Sequence, residues 1–244
     1  METLPFLSIV IPAYNEAQRI SRTLETIRLY LAENHQPAEV IVVNDGSEDA
    51  TVPLVEGLCK KWDQLRLIQN PRNCGKGFSI KNGVLVAKGE IVLFTDADLS
   101  APISEMPKLL NPILAGECEL SFGSRGLDRS LIGIHQSKTR ELSGRIFNLF
   151  VQLLTGLRFK DTQCGFKAFR REPLIPVFQQ QRITGFGFDP EMLYIARKQG
   201  LRLKEVPVRW NHAEGTSVHF MSDPLQMFLG LLKIRWNDLT GKYR

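Results

Sequence analysis

An α/β fold built on a mostly parallel sheet flanked by helices is predicted by three observations on this 244-residue chain. Short apolar runs recur at residues 7–12, 39–43, 65–69 and 91–95, separated by segments that read as helices. The last run, Ile91-Val92-Leu93-Phe94-Thr95, is continuous rather than alternating, as in a strand buried on both faces. The first two strands each deliver polar residues to one edge, Tyr14-Asn15-Glu16 and Asp45-Gly46-Ser47, and that edge is where open α/β sheets bind ligands.

The first strand, Leu7-Ser8-Ile9-Val10-Ile11-Pro12, is stopped by its proline. Helical spacing of Ile20, Leu24, Ile27 and Leu31 predicts a helix over 16–31. The strand at 39–43 ends in the turn Asn44-Asp45-Gly46-Ser47, and a helix follows at about 50–62. After the strand at 65–69 comes Asn70-Pro71-Arg72-Asn73-Cys74-Gly75-Lys76-Gly77, whose glycines permit close backbone approach before a helix over 78–87. The fourth strand ends in Asp96-Ala97-Asp98. Such alternation is that of a parallel sheet with right-handed crossovers.

With 43% apolar and 23% charged residues the chain can bury one sizeable core. We expect a catalytic domain over 1–210, then an acceptor or closing loop and a C-terminal amphipathic helix over 211–244. The net charge of +5 suits an anionic partner. Because Lys and Arg are scattered, with no basic run interleaved with aromatics, phosphates on small ligands or an anionic membrane surface fit better than nucleic acid. Cys59, Cys74, Cys118 and Cys164 form no C-x-x-C pair, so neither a zinc site nor a disulfide framework is expected. No basic segment followed by an apolar one opens the chain and no apolar stretch is long enough to span a bilayer, so the expected place is the cytoplasm, peripheral on the cytoplasmic face of a membrane.

Two carboxylates one residue apart repel unless a cation sits beside them, and hard oxygen ligands suit Mg2+ or Mn2+. Asp96 and Asp98 thus point to a metal-bound diphosphate, although aspartates also suit a plain turn and helix start. No Gly-x-Gly-x-x-Gly follows the first strand, which argues against a dinucleotide dehydrogenase, and Gly75-Lys76-Gly77 lacks the spacing of a P-loop.

Val10-Ile11-Pro12-Ala13-Tyr14-Asn15-Glu16, Val43-Asn44-Asp45-Gly46-Ser47, Gly75-Lys76-Gly77 and Thr95-Asp96-Ala97-Asp98, in that order, resemble the inverting family 2 glycosyltransferases of the GT-A fold. Among these the chain is most similar to enzymes that transfer a sugar to dolichyl or polyprenyl phosphate. Further matches are Phe122-Gly123-Ser124-Arg125, Arg140 with Phe147-Asn148, Asp161-Thr162-Gln163-Cys164-Gly165-Phe166-Lys167, Phe188-Asp189-Pro190-Glu191, Glu205-Val206-Pro207-Val208 and Gly215-Thr216-Ser217. The resemblance implies that Pro12, Tyr14, Glu16 and Asp45 surround the nucleobase and ribose, with Ala13, Gly75, Lys76 and Ala97 completing the donor-binding set. It implies that Asp96 and Asp98 face the sugar and the metal-bound diphosphate, Asp98 above all as metal ligand. Arg125 and Arg140 fall near the acceptor phosphate, whose oxygens match guanidinium forks. Asp96, Asp98, Arg125 and Arg140 are the catalytic candidates. Ser100 stands where mannose synthases often carry glutamine, and the runs at 161–167 and 188–194 resemble the dolichyl-phosphate glucosyltransferases, so UDP-glucose is expected over GDP-mannose.

A lipid phosphate is ionised near neutral pH and can attack the anomeric carbon without a strong base, whereas a glycan hydroxyl would need one, for which Asp189 or Glu191 are the candidates. Both also fit as helix-start residues. The apolar stretches 145–159 and 223–235 read as interfacial helices for a lipid acceptor, or as core or a dimer surface. A homodimer or a membrane-anchoring partner is a further expectation. Residues 212–219 suit a loop closing over donor phosphates, with His212 and His219 given no catalytic role.

Overall fold

In the computed structural model, which describes residues 6–212 and 223–244, the first half alternates strand and helix: β1 (Leu7–Ala13), α1 (Ile20–Glu33), β2 (Ala38–Asn44), α2 (Thr51–Cys59), β3 (Leu65–Gln69), α3 (Lys76–Val86) and β4 (Ile91–Thr95). The second half adds α4 (Met106–Leu114), β5 (Leu120–Ser124), β6 (Ile132–Ile134), α5 (Lys138–Thr155), β7 (Phe166–Arg170), α6 (Arg171–Gln180), α7 (Phe188–Lys198), β8 (Leu203–Pro207), β9 (Trp210–Asn211) and α8 (Asp223–Leu239). Seven strands form one sheet in the order β3-β2-β1-β4-β7-β5-β8. All its pairs are parallel except those of β7, which runs antiparallel to both β4 and β5. β6 and β9 form a separate two-stranded parallel ribbon.

Strand side chains alternate between two cores, which is why the runs read as continuous. Ile9, Ile11, Val40, Val42 and Leu93 face a core completed by Ile20, Leu24 and Ile27 of α1 and Leu109 and Ile113 of α4. Val10, Ile41, Val43, Val92 and Phe94 face the other, completed by α3, α6, α7 and parts of α5 and α8. Each such fully buried aliphatic side chain stabilises the fold by about 1.5–3 kcal/mol relative to exposure.

Several boundaries differ from the sequence expectation for local reasons. α1 begins at Ile20 rather than at 16, and the Glu16 and Ala17 amides donate to Thr51 Oγ1 at 2.8 Å and Asp49 Oδ2 at 3.0 Å, tying that stretch to the segment after β2. α2 ends at Cys59 instead of 62, where the Trp62 carbonyl accepts the Leu65 amide and turns the chain into β3. α3 begins two residues early, so that Lys76 is its first residue. α5 starts seven residues before the expected position, capped by the Ser137 hydroxyl on the Arg140 amide and ended by Gly156 at φ 72°. α8 runs on to Leu239. Among the described residues no helix is long and apolar enough to cross a membrane.

Candidate active site

The carboxyl ends of β1 and β2 are stitched together. Asp45 N donates to the Ala13 carbonyl at 2.8 Å, Asn15 N to Ser47 Oγ at 2.9 Å and Glu48 N to Asn15 Oδ1 at 2.9 Å. Asp45 is buried, and both its oxygens hold the segment that leads into α3. Oδ1 accepts from Asn70 Nδ2 at 2.7 Å and Cys74 N at 2.9 Å, and Oδ2 from Gly75 N at 2.8 Å. Gly75 has φ 99°, and a Cβ there would lie 2.5 Å from the Thr184 carbonyl oxygen, so neither the conformation nor the space admits a side chain.

β4 hands the chain directly to Asp96 and Asp98. The Ala97 carbonyl accepts from Thr23 Oγ1 at 2.5 Å, and Asp98 Oδ1 accepts from Ser100 N at 2.9 Å. Asp96 Oδ1 lies 2.6 Å from Lys76 Nζ. Against its other side packs Gly165, where a Cβ would overlap Asp96 Oδ2. Burial pushes the Glu16 carboxyl up to about 7, with Arg19 pulling down and Asp98, Asp96 and Asp49 pushing further up.

Arg125 follows β5 and is gripped by Asp161, with Nε 2.6 Å from Oδ2 and Nη2 2.9 Å from Oδ1, while its guanidinium carbon sits 5.4 Å over the Trp210 ring. Burial alone would raise the Asp161 carboxyl, but the Arg125 guanidinium and the Arg125 and Gln163 amides hold it at about 2. Arg140 stands in the first turn of α5. From the other face come Asp189 and Lys167. Lys167 is fully buried and donates to the Cys164 carbonyl at 2.6 Å and to Asp189 Oδ1, with Phe94 5.1 Å beneath its ammonium. Burial raises the Asp189 carboxyl, against the pull of Lys167 and Lys76. Glu191 is buried and accepts from Arg182 N, Ile183 N and the Tyr243 hydroxyl.

Lys76, Asp96, Asp98, Arg125, Arg140, Phe147, Asp189, Trp210 and Met227 share one cavity of about 260 Å³. The four catalytic candidates are therefore brought together, and Lys76 joins them. Pro12, Ala13, Tyr14, Glu16, Asp45, Gly75 and Ala97 do not line this cavity; they sit at and beyond the ends of β1, β2 and β4 and at the start of α3. His212 stacks on Trp210 at 6.1 Å between ring centroids. Gly215-Thr216-Ser217 and His219 lie outside the described residues.

Three residues in and around the cavity, Lys167, Asp161 and Trp210, have structural roles that the sequence reading does not assign. Lys167 lies in a run that the sequence does not mark as a strand, and it is the position of β7 inside the sheet that buries it and so requires a partner. Asp161 and Trp210 carry no sequence signal either, since only the fold brings both to Arg125.

Asp96 and Asp98 present oxygen donors of the kind magnesium and manganese take. Among the described residues no three His, Cys, Asp or Glu side chains are grouped to hold a metal by themselves.

The profile of Glycosyl transferase family 2 matches residues 8–178. A dolichyl-phosphate beta-glucosyltransferase of Trichomonas vaginalis is 34% identical over 238 residues, covering 94% of this chain and 72% of that one. The human dolichyl-phosphate beta-glucosyltransferase is 35% identical over 251 residues, covering 98% and 77%. Among solved structures, glucosyl-3-phosphoglycerate synthase from Mycobacterium tuberculosis, in complex with Mn2+, UDP and glucosyl-3-phosphoglycerate, superposes with a TM-score of 0.71 at 21% identity, covering 95% of this chain and 80% of that one.

Proposed function

This chain belongs to glycosyl transferase family 2, and we propose that it transfers glucose from UDP-glucose to dolichyl or polyprenyl phosphate, inverting the anomeric centre to give a β-linked lipid sugar. The observation that carries this reading is the meeting of two carboxylates and two guanidiniums in one cavity whose rim includes apolar side chains of α5 and α8. The carboxylates and Lys76 suit the donor end, and the guanidiniums suit an anionic acceptor.

Pro12, Ala13, Tyr14, Glu16, Asp45, Gly75, Lys76, Asp96, Ala97 and Asp98 form the proposed donor site. Arg125 and Arg140 hold the acceptor phosphate beside the anomeric carbon, offsetting the repulsion between two anions that must approach each other. Because Asp161 already occupies Nε and Nη2 of Arg125, that residue turns its remaining edge to the phosphate, and Trp210 keeps the plane fixed. A phosphate oxygen forms the new bond to C1 as the bond from C1 to the UDP oxygen breaks, and UDP departs with the electron pair. The nucleophile brings no proton to remove, so the chemistry calls for no side-chain base. Asp96 and Asp98 would hold a divalent cation, Mg2+ or Mn2+, which when bound offsets charge building on the departing diphosphate.

Residues 1–210 make up the proposed catalytic domain and 211–244 the acceptor-side segment. α5 presents Leu142, Ile146, Leu149, Phe150 and Leu153 to solvent, and α8 presents Leu229, Leu232, Trp236 and Leu239. Spacings of three, four and seven residues put each set on one helix face. The two helices join through Phe150 and Phe228, whose rings meet edge on at 5.2 Å. Such a surface suits peripheral contact with the cytoplasmic face of a membrane, where a polyprenyl chain stays in lipid while its phosphate enters the cavity.

The test is transfer of label from radioactive UDP-glucose and, in parallel, GDP-mannose to a polyprenyl phosphate, with Mg2+ or Mn2+ present or chelated. Metal-dependent label in the organic phase from UDP-glucose alone is expected. Label from GDP-mannose alone would overturn the donor, and label in a soluble glycan but not in lipid would overturn the acceptor.

A further inference from the structure

Two lysine–aspartate pairs meet at the cavity. Lys167 pairs with Asp189, Lys76 pairs with Asp96, and burial makes each charge depend on its partner. The Lys167–Asp189 pair is almost wholly enclosed, with side chains 0% and 5% exposed, and holds its place through the Cys164 carbonyl. The Lys76–Asp96 pair is different, since its side chains are 18% and 33% exposed and both line the cavity.

The backbone under Lys76 is fixed while its side chain is not. Gly75 is held by Asp45 Oδ2 at 2.8 Å, and Phe78 N donates to the Thr184 carbonyl at 3.0 Å, so the first turn of α3 cannot shift. The lysine stem is a flexible four-carbon chain, and its ammonium is a compact charge that can change partner without moving the main chain. It now occupies Asp96 Oδ1, one of the oxygens a divalent cation would need. Bringing such a cation to Asp96 and Asp98 beside Lys76 sets like charges against each other in a part-buried cavity. Asp189, the remaining carboxylate of the cavity, is already paired with Lys167, so a ligand with several negative charges is what gives both cations a full partner at once.

We propose that Lys76 is the resident cation of Asp96, displaced by a divalent metal only when a nucleoside diphosphate arrives to receive the freed ammonium, so that metal binding is conditional on donor binding. The inference rests on the reading that metal and donor diphosphate share this cavity. It makes Lys76 a gate on metal loading as well as a donor contact. By linkage, the diphosphate tightens the metal and the metal tightens the diphosphate by the same factor.

The experiment measures Mn2+ bound to the full chain from the loss of the free-ion EPR signal, with and without UDP, for the wild type, Lys76→Met and Lys76→Arg. The wild type binds Mn2+ weakly alone and at least about tenfold more tightly with UDP, a coupling of about 1.4 kcal/mol. Lys76→Met binds Mn2+ without UDP about tenfold more tightly than wild type and loses most of the coupling. Lys76→Arg, which keeps the charge, stays like wild type. Near-UV circular dichroism checks that the variants are folded, and Lys76→Gln replaces the methionine variant should that one fail. A neutral variant with no gain in Mn2+ affinity, while UDP still promotes binding, overturns this inference and leaves the metal reading intact. No Mn2+ binding to the wild type even with UDP overturns the metal reading and this inference with it.

Discussion

Arg125 and Asp161 meet side on, Nε and Nη2 of the guanidinium facing the two carboxylate oxygens at 2.6 Å and 2.9 Å, and the Arg125 amide completes the grip at 3.0 Å. The pair sets the plane in which Arg125 faces the cavity.

Its stability contribution has a definite pH window. The folded Asp161 carboxyl, held at about 2, lies below its usual 3.8, so the contribution is fully present above about pH 4 and is lost as pH falls through 2. Urea unfolding of the wild type should show a loss on the order of 2 kcal/mol across that window from this group. Asp161→Asn should show no such loss and be less stable at pH 7 by about 2–3 kcal/mol, because a part-buried guanidinium is left without its anion.

Glu16 has the opposite sign. Its folded carboxyl at about 7 lies above the usual 4.5, so the folded chain binds the proton more tightly and loses stability as pH rises from about 4.5 to 7. Glu16→Gln should raise the melting temperature at pH 8, corresponding to a gain on the order of 3 kcal/mol, and leave it nearly unchanged at pH 4. An equal gain at both pH values would refute the titration argument.

Gly165 leaves no room for a methyl group beside Asp96, since a Cβ built there would overlap both carboxylate oxygens. Gly165→Ala should therefore push the carboxylate aside and lower kcat/KM for UDP-glucose about a hundredfold, the usual effect of displacing a reacting group by an ångström. Calorimetric melting should show that the protein remains folded, since the strain falls on the cavity lining rather than on the core.

The exposed faces of α5 and α8 yield a prediction about lipid. Replacing Leu153, Trp236 and Leu239 together by serine removes three large apolar groups that are 70%, 63% and 73% exposed. Flotation with vesicles containing anionic lipid should fall at least about tenfold. The melting temperature should stay close to that of the wild type, because these side chains leave the core untouched.

β1, β2 and β4 were legible because both of their faces are buried, whereas Asp96-Ala97-Asp98 alone also suits a turn and drew its reading from the motifs around it. β7 was not legible as a strand. Phe166-Lys167-Ala168-Phe169-Arg170 reads neither as an apolar run nor as a clean alternation, since its buried lysine answers to Asp189, a residue far along the chain. The ribbon of Ile132–Ile134 with Trp210–Asn211 is too short to leave any periodicity. Asp189 and Glu191 do stand in the first turn of α7, and because Phe188 through Leu193 are all buried both carboxylates also turn inward to specific partners. The apolar stretches divide as well: Val151, Leu231 and Ile234 join the core while their neighbours face out.

The insertion of β7 between β4 and β5 also sets the order in which the molecule can be built. The sheet from β3 to β4 consists of parallel pairs built entirely from the first half of the chain. β5, although synthesised before β7, has no place beside β4 until β7 arrives from beyond α5 and pairs with both. Long-range closure of this kind is slow, because chain entropy is lost before contacts form. The same event carries Lys167 to Asp189 and Gly165 to Asp96. A nascent chain halted before that step already has its parallel strands and its two aspartates, yet it has no assembled catalytic centre. The centre is therefore assembled only once the strand that bridges β4 and β5 is in place, with β8 added beyond it at the edge of the sheet.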